Sequence, residues 1–195
     1  MLRAGATKVQ PNVKSGDLTP APFPGAQIDL RSDTRFSGGA SYLLTDHVSV
    51  DLPLALPFKL DLVGDGVIAP VGKIGEVRAL PATLLGQYRF LAPTSPFRPY
   101  AGAGLSYVKF YKASGTPTLN ALTSATQGHP TSLSVDSKFA PTFQLGGTYA
   151  FADHWFVDAN MTYTVFKTRA SLSNGQTLEL RVDPSAFAIG IGYAY

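Results

Sequence analysis

Apolar and polar residues alternate along most of this chain with a period of two. Between residues 48 and 56, for example, valine and leucine alternate with serine, aspartate, proline and alanine. Successive side chains of a β-strand point to opposite faces of a sheet, so this pattern predicts strands with one apolar face. The segments that show it are 2–14, 35–44, 48–56, 80–90, 98–111, 142–151, 155–165 and 186–195.

The connections between these eight predicted strands alternate in length. Short turns are predicted at 45–47, 91–96 and 152–154. Segments 15–33, 60–76 and 112–136 are rich in Gly, Pro, Ser, Thr and Asp and are predicted to be long loops, whereas the last hairpin, around Ser173-Asn174-Gly175, is tight. Short turns that alternate with longer loops are typical of the periplasmic and outer ends of an outer-membrane barrel.

The number and length of the predicted strands favour a closed barrel. The count is even, and each strand has roughly the 9 to 11 residues that cross a membrane at a tilt. The fold class predicted is therefore all-β: an eight-stranded antiparallel up-and-down transmembrane β-barrel with short periplasmic turns and longer extracellular loops, which forms a single domain over residues 1–195. Aromatic residues cluster at the short-turn ends as in a membrane-interface girdle, whereas a soluble sandwich would place aromatics in its core. They are Tyr42, Tyr88, Phe90, Tyr149, Phe151, Trp155, Tyr193 and Tyr195.

Composition narrows the function classes. Charged residues make up 15% of the chain, below the quarter or so that is usual in soluble domains, and no apolar stretch approaches the roughly 20 residues of a spanning helix. The 16 Lys and Arg residues are scattered singly, which argues against nucleic acid as a partner. The absence of cysteine excludes thiol chemistry.

The chain begins without a secretory signal pattern, so an export signal is expected to have been removed, and the expected location is the outer membrane of a Gram-negative bacterium.

Candidate catalytic groups are few, and none is assigned. His47 and His154 lie in short turns, where a solvated structural role is expected. His129, with Ser132 or Ser134, lies in the longest predicted loop and is the only candidate for a lipid-modifying Ser-His site. No metal-ligand spacing is present, so neither a metal nor another cofactor is expected.

Charged residues also fall on the face that points into the barrel. Arg35, Asp51, Arg89 and Asp158 share this inward parity. Burying unpaired charges in a narrow lumen is costly, so they are predicted to pair with one another near the lower end. Structural bracing is favoured over an ion-selective ring.

Apolar residues occupy the upper inward positions. Phe110 and Phe166 lie near the long loops, and Leu85 is nearer the middle, so an apolar pocket that opens outward and a packed plug are both compatible with the pattern. Pro81 interrupts the fourth predicted strand, where it cannot donate a ladder hydrogen bond and so weakens that seam.

A set of short segments, in this order, resembles the outer membrane protein W family, including its alkane-uptake members, over essentially the whole chain. The segments are Leu2-Arg3-Ala4-Gly5-Ala6, Thr45-Asp46-His47, Pro57-Phe58-Lys59, Leu80-Pro81-Ala82-Thr83, Arg98-Pro99-Tyr100-Ala101-Gly102-Ala103-Gly104, Phe139-Ala140-Pro141-Thr142-Phe143-Gln144, Phe166-Lys167-Thr168 and Val182-Asp183-Pro184.

The resemblance implies a narrow apolar channel that passes small hydrophobic molecules from outside into the membrane through a lateral opening. It places that opening at Pro81 and Thr83. This chain departs from the family pattern at three points. Pro53 and Thr162 occupy positions where some relatives have a bulky leucine and tryptophan in the lumen. The residue after Asp183-Pro184 is Ser185 rather than an aromatic, and the last residue is Tyr195 rather than phenylalanine. The predicted lumen lining is Pro53, Leu85, Phe110, Gln144, Thr162 and Phe166.

The function expected from this resemblance is passive, non-enzymatic uptake. The expected partners are small hydrophobic solutes, outer-membrane lipids and lipopolysaccharide, and the barrel-insertion machinery during assembly. Two alternatives stay open: a plugged barrel whose loops act in adhesion or receptor binding, and a lipid-modifying enzyme that uses His129.

Overall fold

The computed structural model describes residues 1–15, 26–116, 133–172 and 177–195. Nearly all of these residues belong to strands or to the turns between them. The strands are β1 (Leu2–Gln10), β2 (Lys14–Ser15), β3 (Ala26–Leu30), β4 (Asp33–Leu43), β5 (Val48–Ala55), β6 (Phe58–Gly66), β7 (Lys73–Arg89), β8 (Phe97–Gly115), β9 (Leu133–Val135), β10 (Lys138–Ala150), β11 (Trp155–Thr164), β12 (Lys167–Leu172), β13 (Thr177–Arg181) and β14 (Ser185–Tyr193).

Eight antiparallel strands close into a barrel. The first strand, β1, pairs with β4 on one side and with the last strand, β14, on the other, and β7 pairs with β8 to complete the ring. The third barrel strand consists of β5 and β6, which are separated at residues 56–57 and which pair one after the other with the long strand β7. The predicted fold class is therefore confirmed.

The barrel has an apolar outer face and a lumen that is polar in its lower part. Outward residues such as Phe36, Leu145 and Ile189 are each more than 60% exposed, whereas inward Ser49, Thr142 and Asp158 are buried. A soluble sandwich buries its apolar face, so that alternative is wrong. Among the residues that the structure describes, no helix is long and apolar enough to cross a membrane.

Aromatic side chains border the outer face at two levels. On β8, Phe97 and Tyr107 have the outward parity of the exposed residues Leu105 and Lys109, and they lie ten residues apart. A strand of that length tilted by about 40° spans a band about 25 Å tall, which is the height of the lipid-facing surface of outer-membrane barrels. The eight aromatics predicted for the short-turn end are all exposed there.

The prediction of a long loop at 60–76 is wrong. Instead, β6 and β7 continue upward as a hairpin closed by a 3-10 turn at Ala69–Val71. The glycines at 64, 66 and 72 and Pro70 resemble loop composition, but Leu60, Leu62 and Val77 alternate inward and are buried in the core. Positive φ angles at Gly66 (62°) and Gly72 (73°) let the chain turn at these two points.

Three further boundaries differ from the sequence prediction. β1 ends at Gln10 rather than at residue 14, because Pro11 cannot donate the next ladder hydrogen bond. The segments 15–33 and 112–136 contain β3 and β9, and β8 extends to Gly115. A small second sheet has the strand order β2-β13-β12-β9. The predicted hairpin at Ser173-Asn174-Gly175 lies outside the described residues.

The inward and outward faces lead to a stability prediction at one height of the barrel. Leu145 points into lipid from β10, while Thr162, which is paired with its neighbour Gln144, points into the lumen. We expect Leu145→Arg to lower the free energy of unfolding by about 2 to 4 kcal/mol, because it places a charge in hydrocarbon, and Thr162→Arg to cost clearly less. Urea titration of both variants in lipid vesicles measures the difference. Equal costs would contradict the assigned faces.

Candidate functional site

A cavity of about 160 Å³ lies inside the barrel. Its upper wall is apolar and comes from strands on opposite sides of the ring. Phe58, Leu60 and Phe166 are each at most 5% exposed, and the rings of Phe110 and Phe166 lie 5.7 Å apart between centroids. The upper cavity therefore offers an apolar surface that a small hydrophobic molecule can contact.

The bend that follows β13 positions Phe166. The backbone N–H of Phe166 donates to a carboxylate oxygen of Asp183 at 3.0 Å, and the N–H of Val182 donates to the Phe166 carbonyl at 2.9 Å. Burial by itself favours the neutral form of the Asp183 side chain. The ion pair with Arg181 and the hydrogen bond from the Phe166 N–H favour the charged form more strongly, so together they hold the pKa of Asp183 below its ordinary value. The Val182-Asp183-Pro184 segment thus anchors one wall of the cavity.

A row of hydroxyl groups lines one side of the lumen. The Ser106 hydroxyl lies 2.7 Å from that of Thr83 and 2.6 Å from that of Thr142, and the Thr142 hydroxyl lies 3.0 Å from that of Thr164. These residues belong to four consecutive barrel strands, β7, β8, β10 and β11. They satisfy one another's hydrogen bonds and mark the change from the apolar upper lumen to the polar lower lumen.

Below this row, charged and amide side chains occupy the lower lumen. Arg3 donates to both carboxylate oxygens of Asp51, at 2.7 and 2.8 Å, and its Nε lies 3.8 Å from Asp158. The Tyr100 hydroxyl donates to Asp158 at 2.8 Å. The bidentate geometry and the added hydrogen bonds compensate for the burial of these charges.

The predicted pairing of inward charges is partly wrong. Asp51 and Asp158 do lie together at the lower end, but their cationic partner is Arg3. Arg35 pairs with Asp33 near the upper end instead, at 2.7 Å. Arg89 donates to Ser49 and Gln87 and lies over the ring of Tyr100. The alternation of Arg3 with the outward residues Leu2 and Ala4 would have revealed its inward position.

Ladder pairing is interrupted between the third and fourth barrel strands. β5 pairs with β7 from Val48↔Tyr88 to Asp51↔Leu85, and pairing resumes only at Phe58↔Ala79 in β6. Between these points, the described residues 52–57 and 80–84 do not pair with each other. The Leu56 N–H instead donates to the Phe36 carbonyl of β4, on the opposite side of its strand. We call this interruption the lateral seam.

Pro81 faces the lateral seam. The Arg89 N–H donates to the His47 carbonyl at 2.7 Å, on the side of β7 that faces β5. Alternate residues of a strand direct their backbone N–H and C=O groups to the same side, so those of residues 87, 85, 83 and 81 also face β5. The nitrogen of Pro81 has no hydrogen to donate there. Pro53 and Pro57 occupy the opposite strand segment, so donors are missing on both sides of the seam.

Most of the residues predicted to form the site meet at this cavity. Leu85 is the exception: it is fully buried at the level of Asp51, below the cavity, and does not line it. Sequence reasoning missed Phe58, Leu60 and Ala79. Leu60 lies in the segment 60–76 that was predicted to be a loop, and Phe58 and Ala79 lie between that segment and the predicted strands 48–56 and 80–90. The predicted residues that line the cavity are Pro53, Pro81, Thr83, Phe110, Gln144, Thr162 and Phe166.

The histidines that were considered for catalysis serve other contacts where they are described. His47 stacks on Tyr88, and its Nδ1 lies 2.9 Å from the Arg89 carbonyl oxygen; His154 stacks on Tyr193. His129 and Ser132 lie outside the described residues, while Ser134 pairs with Ser171 in the second sheet. Within the described ranges, no group of three His, Cys, Asp or Glu residues could hold a metal ion.

An eight-stranded barrel with an apolar outer band, two aromatic borders and a polar lower lumen defines this chain as a bacterial outer-membrane β-barrel protein. The OmpW family model matches residues 1–195, and the chain belongs to this family.

Curated and solved relatives agree with this assignment. Outer membrane protein W of Vibrio cholerae is 30% identical to this chain, in an alignment that spans all of this chain and 88% of the relative. Outer membrane protein AlkL of Ectopseudomonas oleovorans is 26% identical over 97% of this chain and 79% of its own length. The crystal structure of OprG from Pseudomonas aeruginosa superposes with a TM-score of 0.86 at 28% identity and covers 98% of this chain and 93% of its own.

Proposed function

We propose that this barrel takes up small hydrophobic molecules passively, binding them in the upper cavity and releasing them sideways through the lateral seam into the membrane. The observation that carries the proposal is the position of Pro81, which lines the cavity and also faces the unpaired strand segment. A solute at this point passes from the apolar lumen to lipid without crossing the polar lower lumen.

The lower lumen supports a lateral exit. An apolar solute that continued downward would have to displace the Arg3–Asp51 pair and the hydrogen bond from Gln87 to Gln144, which is 2.6 Å long. Breaking buried charge pairs costs several kcal/mol, and an apolar molecule offers nothing in return. The seam, by contrast, has no ladder hydrogen bonds to break between residues 52–57 and 80–84.

The sequence resemblance to alkane-uptake members of the family supports the solute class, as does the apolar wall formed by Phe58, Leu60, Phe110 and Phe166. The mechanism needs no catalytic group and no cofactor. Its driving force is the transfer of apolar surface out of water, first to the cavity and then to lipid.

Replacing Pro81 tests the seam directly. Pro81→Ala restores a backbone donor opposite β5, so we expect the barrel to gain about 0.5 to 1.5 kcal/mol, the value of one hydrogen bond, and uptake to slow several-fold. The measurement is the rate at which the apolar dye N-phenylnaphthylamine enters cells that display equal amounts of each protein.

Pro141→Ala is the matched control. This substitution also adds one backbone donor within the membrane. The new N–H, however, faces the neighbouring strand β11 and its extension, where pairing is already in place because the Val165 N–H donates to the Pro141 carbonyl at 3.0 Å. Uptake by this control should equal that of the unmodified protein. Unchanged uptake by Pro81→Ala, with intact folding, would leave a straight pore or an adhesive role of the loops as the explanation.

A further inference from the structure

Two basic side chains lie next to each other on the outside of the barrel near its upper end. Arg78 is on β7 opposite Tyr111 of β8, and Lys109 of β8 is opposite Leu80 of β7. They are therefore diagonal neighbours on adjacent strands, with their Cβ atoms about 7 Å apart, and both side chains are exposed. Lys112, also exposed, follows in the same strand.

The acidic groups nearby are already paired with other lysines. Glu76 contacts Lys59 at 3.0 Å and Lys73 at 3.2 Å, and Asp61 contacts Lys73 at 2.6 Å. Neither Arg78 nor Lys109 has an ion pair or a side-chain hydrogen bond with any residue of the described ranges. Their positive charge is thus free to attract a ligand.

The height of these two residues limits what that ligand can be. Lys109 lies one outward position above Tyr107, whose ring packs on Phe139 at 4.8 Å as part of the upper aromatic border. Long basic side chains just beyond such a border reach into the lipid headgroup layer. A group that meets Arg78 and Lys109 together therefore belongs to the outer leaflet.

We propose that Arg78 and Lys109 bind the phosphate of a phosphorylated outer-leaflet glycolipid of the lipid A class. A guanidinium binds phosphate with two parallel hydrogen bonds, and an ammonium beside it adds a point charge. The acyl chains of the bound lipid then lie along the apolar outer face of β7, over Leu80 and Leu84, at one edge of the lateral seam. This site does not depend on the proposed uptake function.

The test uses the full-length barrel in detergent micelles, titrated with bisphosphorylated lipid A and with the same lipid after its phosphates are removed. The protein should bind the phosphorylated lipid, and the double variant Arg78→Gln/Lys109→Gln should bind it about thirtyfold more weakly, which corresponds to about 1 kcal/mol for each basic residue. Lys8→Gln is the control, since Lys8 is an exposed outward lysine on β1, on another part of the barrel.

Four outcomes would overturn the proposal. The first is equal binding of the two lipids, which would mean that acyl chains alone are recognised. The second is unchanged affinity of the double variant whose heat-shifted gel mobility shows it to be folded. The third is an equal loss in Lys8→Gln, which would indicate attraction to the overall charge. Competition by inorganic phosphate at the lipid's own concentration would likewise assign the site to free phosphate.

Discussion

Joining the two strands that border the lateral seam is expected to reduce uptake to the background of cells without the protein. Leu54 and Ala82 both point outward, on opposite sides of the seam. The chain contains no cysteine, so Leu54→Cys and Ala82→Cys can be joined with a short bifunctional maleimide without side reactions. A covalent bridge at this level blocks the lateral path and leaves the upper cavity unfilled.

The control joins strands that are already paired. Ala159 of β11 and Ile189 of β14 are direct ladder partners with outward side chains, so the same cross-link there changes no opening. Dye entry into cells with the Ala159→Cys/Ile189→Cys barrel should be unaffected by the reagent. If the bridged seam variant kept its uptake while mass spectrometry showed complete cross-linking, lateral exit through the seam would be ruled out.

Filling the cavity should have an effect of similar size. Thr162 lines the cavity from β11, opposite Gln144. In a cavity of about 160 Å³, the indole of Thr162→Trp takes up much of the space that a solute would use. We expect uptake to fall at least tenfold and the barrel to remain folded, because the added group is apolar and lies in existing space.

Thr162→Val distinguishes a filled cavity from a lost hydroxyl. Valine has nearly the shape of threonine, so it removes the hydroxyl and keeps the volume of the cavity. Its uptake should stay near that of the unmodified protein. A Thr162→Trp barrel that is folded and takes up dye at the normal rate would show that solutes do not pass through this cavity.

Much of the barrel could be predicted from local pattern, since a period of two assigns every side chain of a strand to one face. The outward positions of Tyr42 and Trp155 and the inward positions of Asp51 and Asp158 follow from this rule alone. Prolines could also be interpreted locally, because Pro81 lacks a donor in any register.

The hairpin formed by β6 and β7 could not be recognised in this way. Its glycines and Pro70 are the residues of a loop, and its apolar residues are buried only because β3, β8 and the cavity wall surround them. Predicting it requires knowledge of which strands are neighbours. The partner of Asp51 was missed for the same reason, since Arg3 lies 48 residues away in the chain.

By itself, then, the sequence determined the class of fold, the two faces of the barrel and the location in a membrane, because alternation and aromatic placement are local properties. Only the tertiary structure decided which charged groups pair in the lower lumen and where the barrel wall is interrupted. Both depend on the register between strands. Pairing stops at Asp51↔Leu85 and resumes at Phe58↔Ala79, so the six residues 52–57 lie opposite the five residues 80–84. The alternation within one strand does not show this mismatch, because it contains no information about the partner strand.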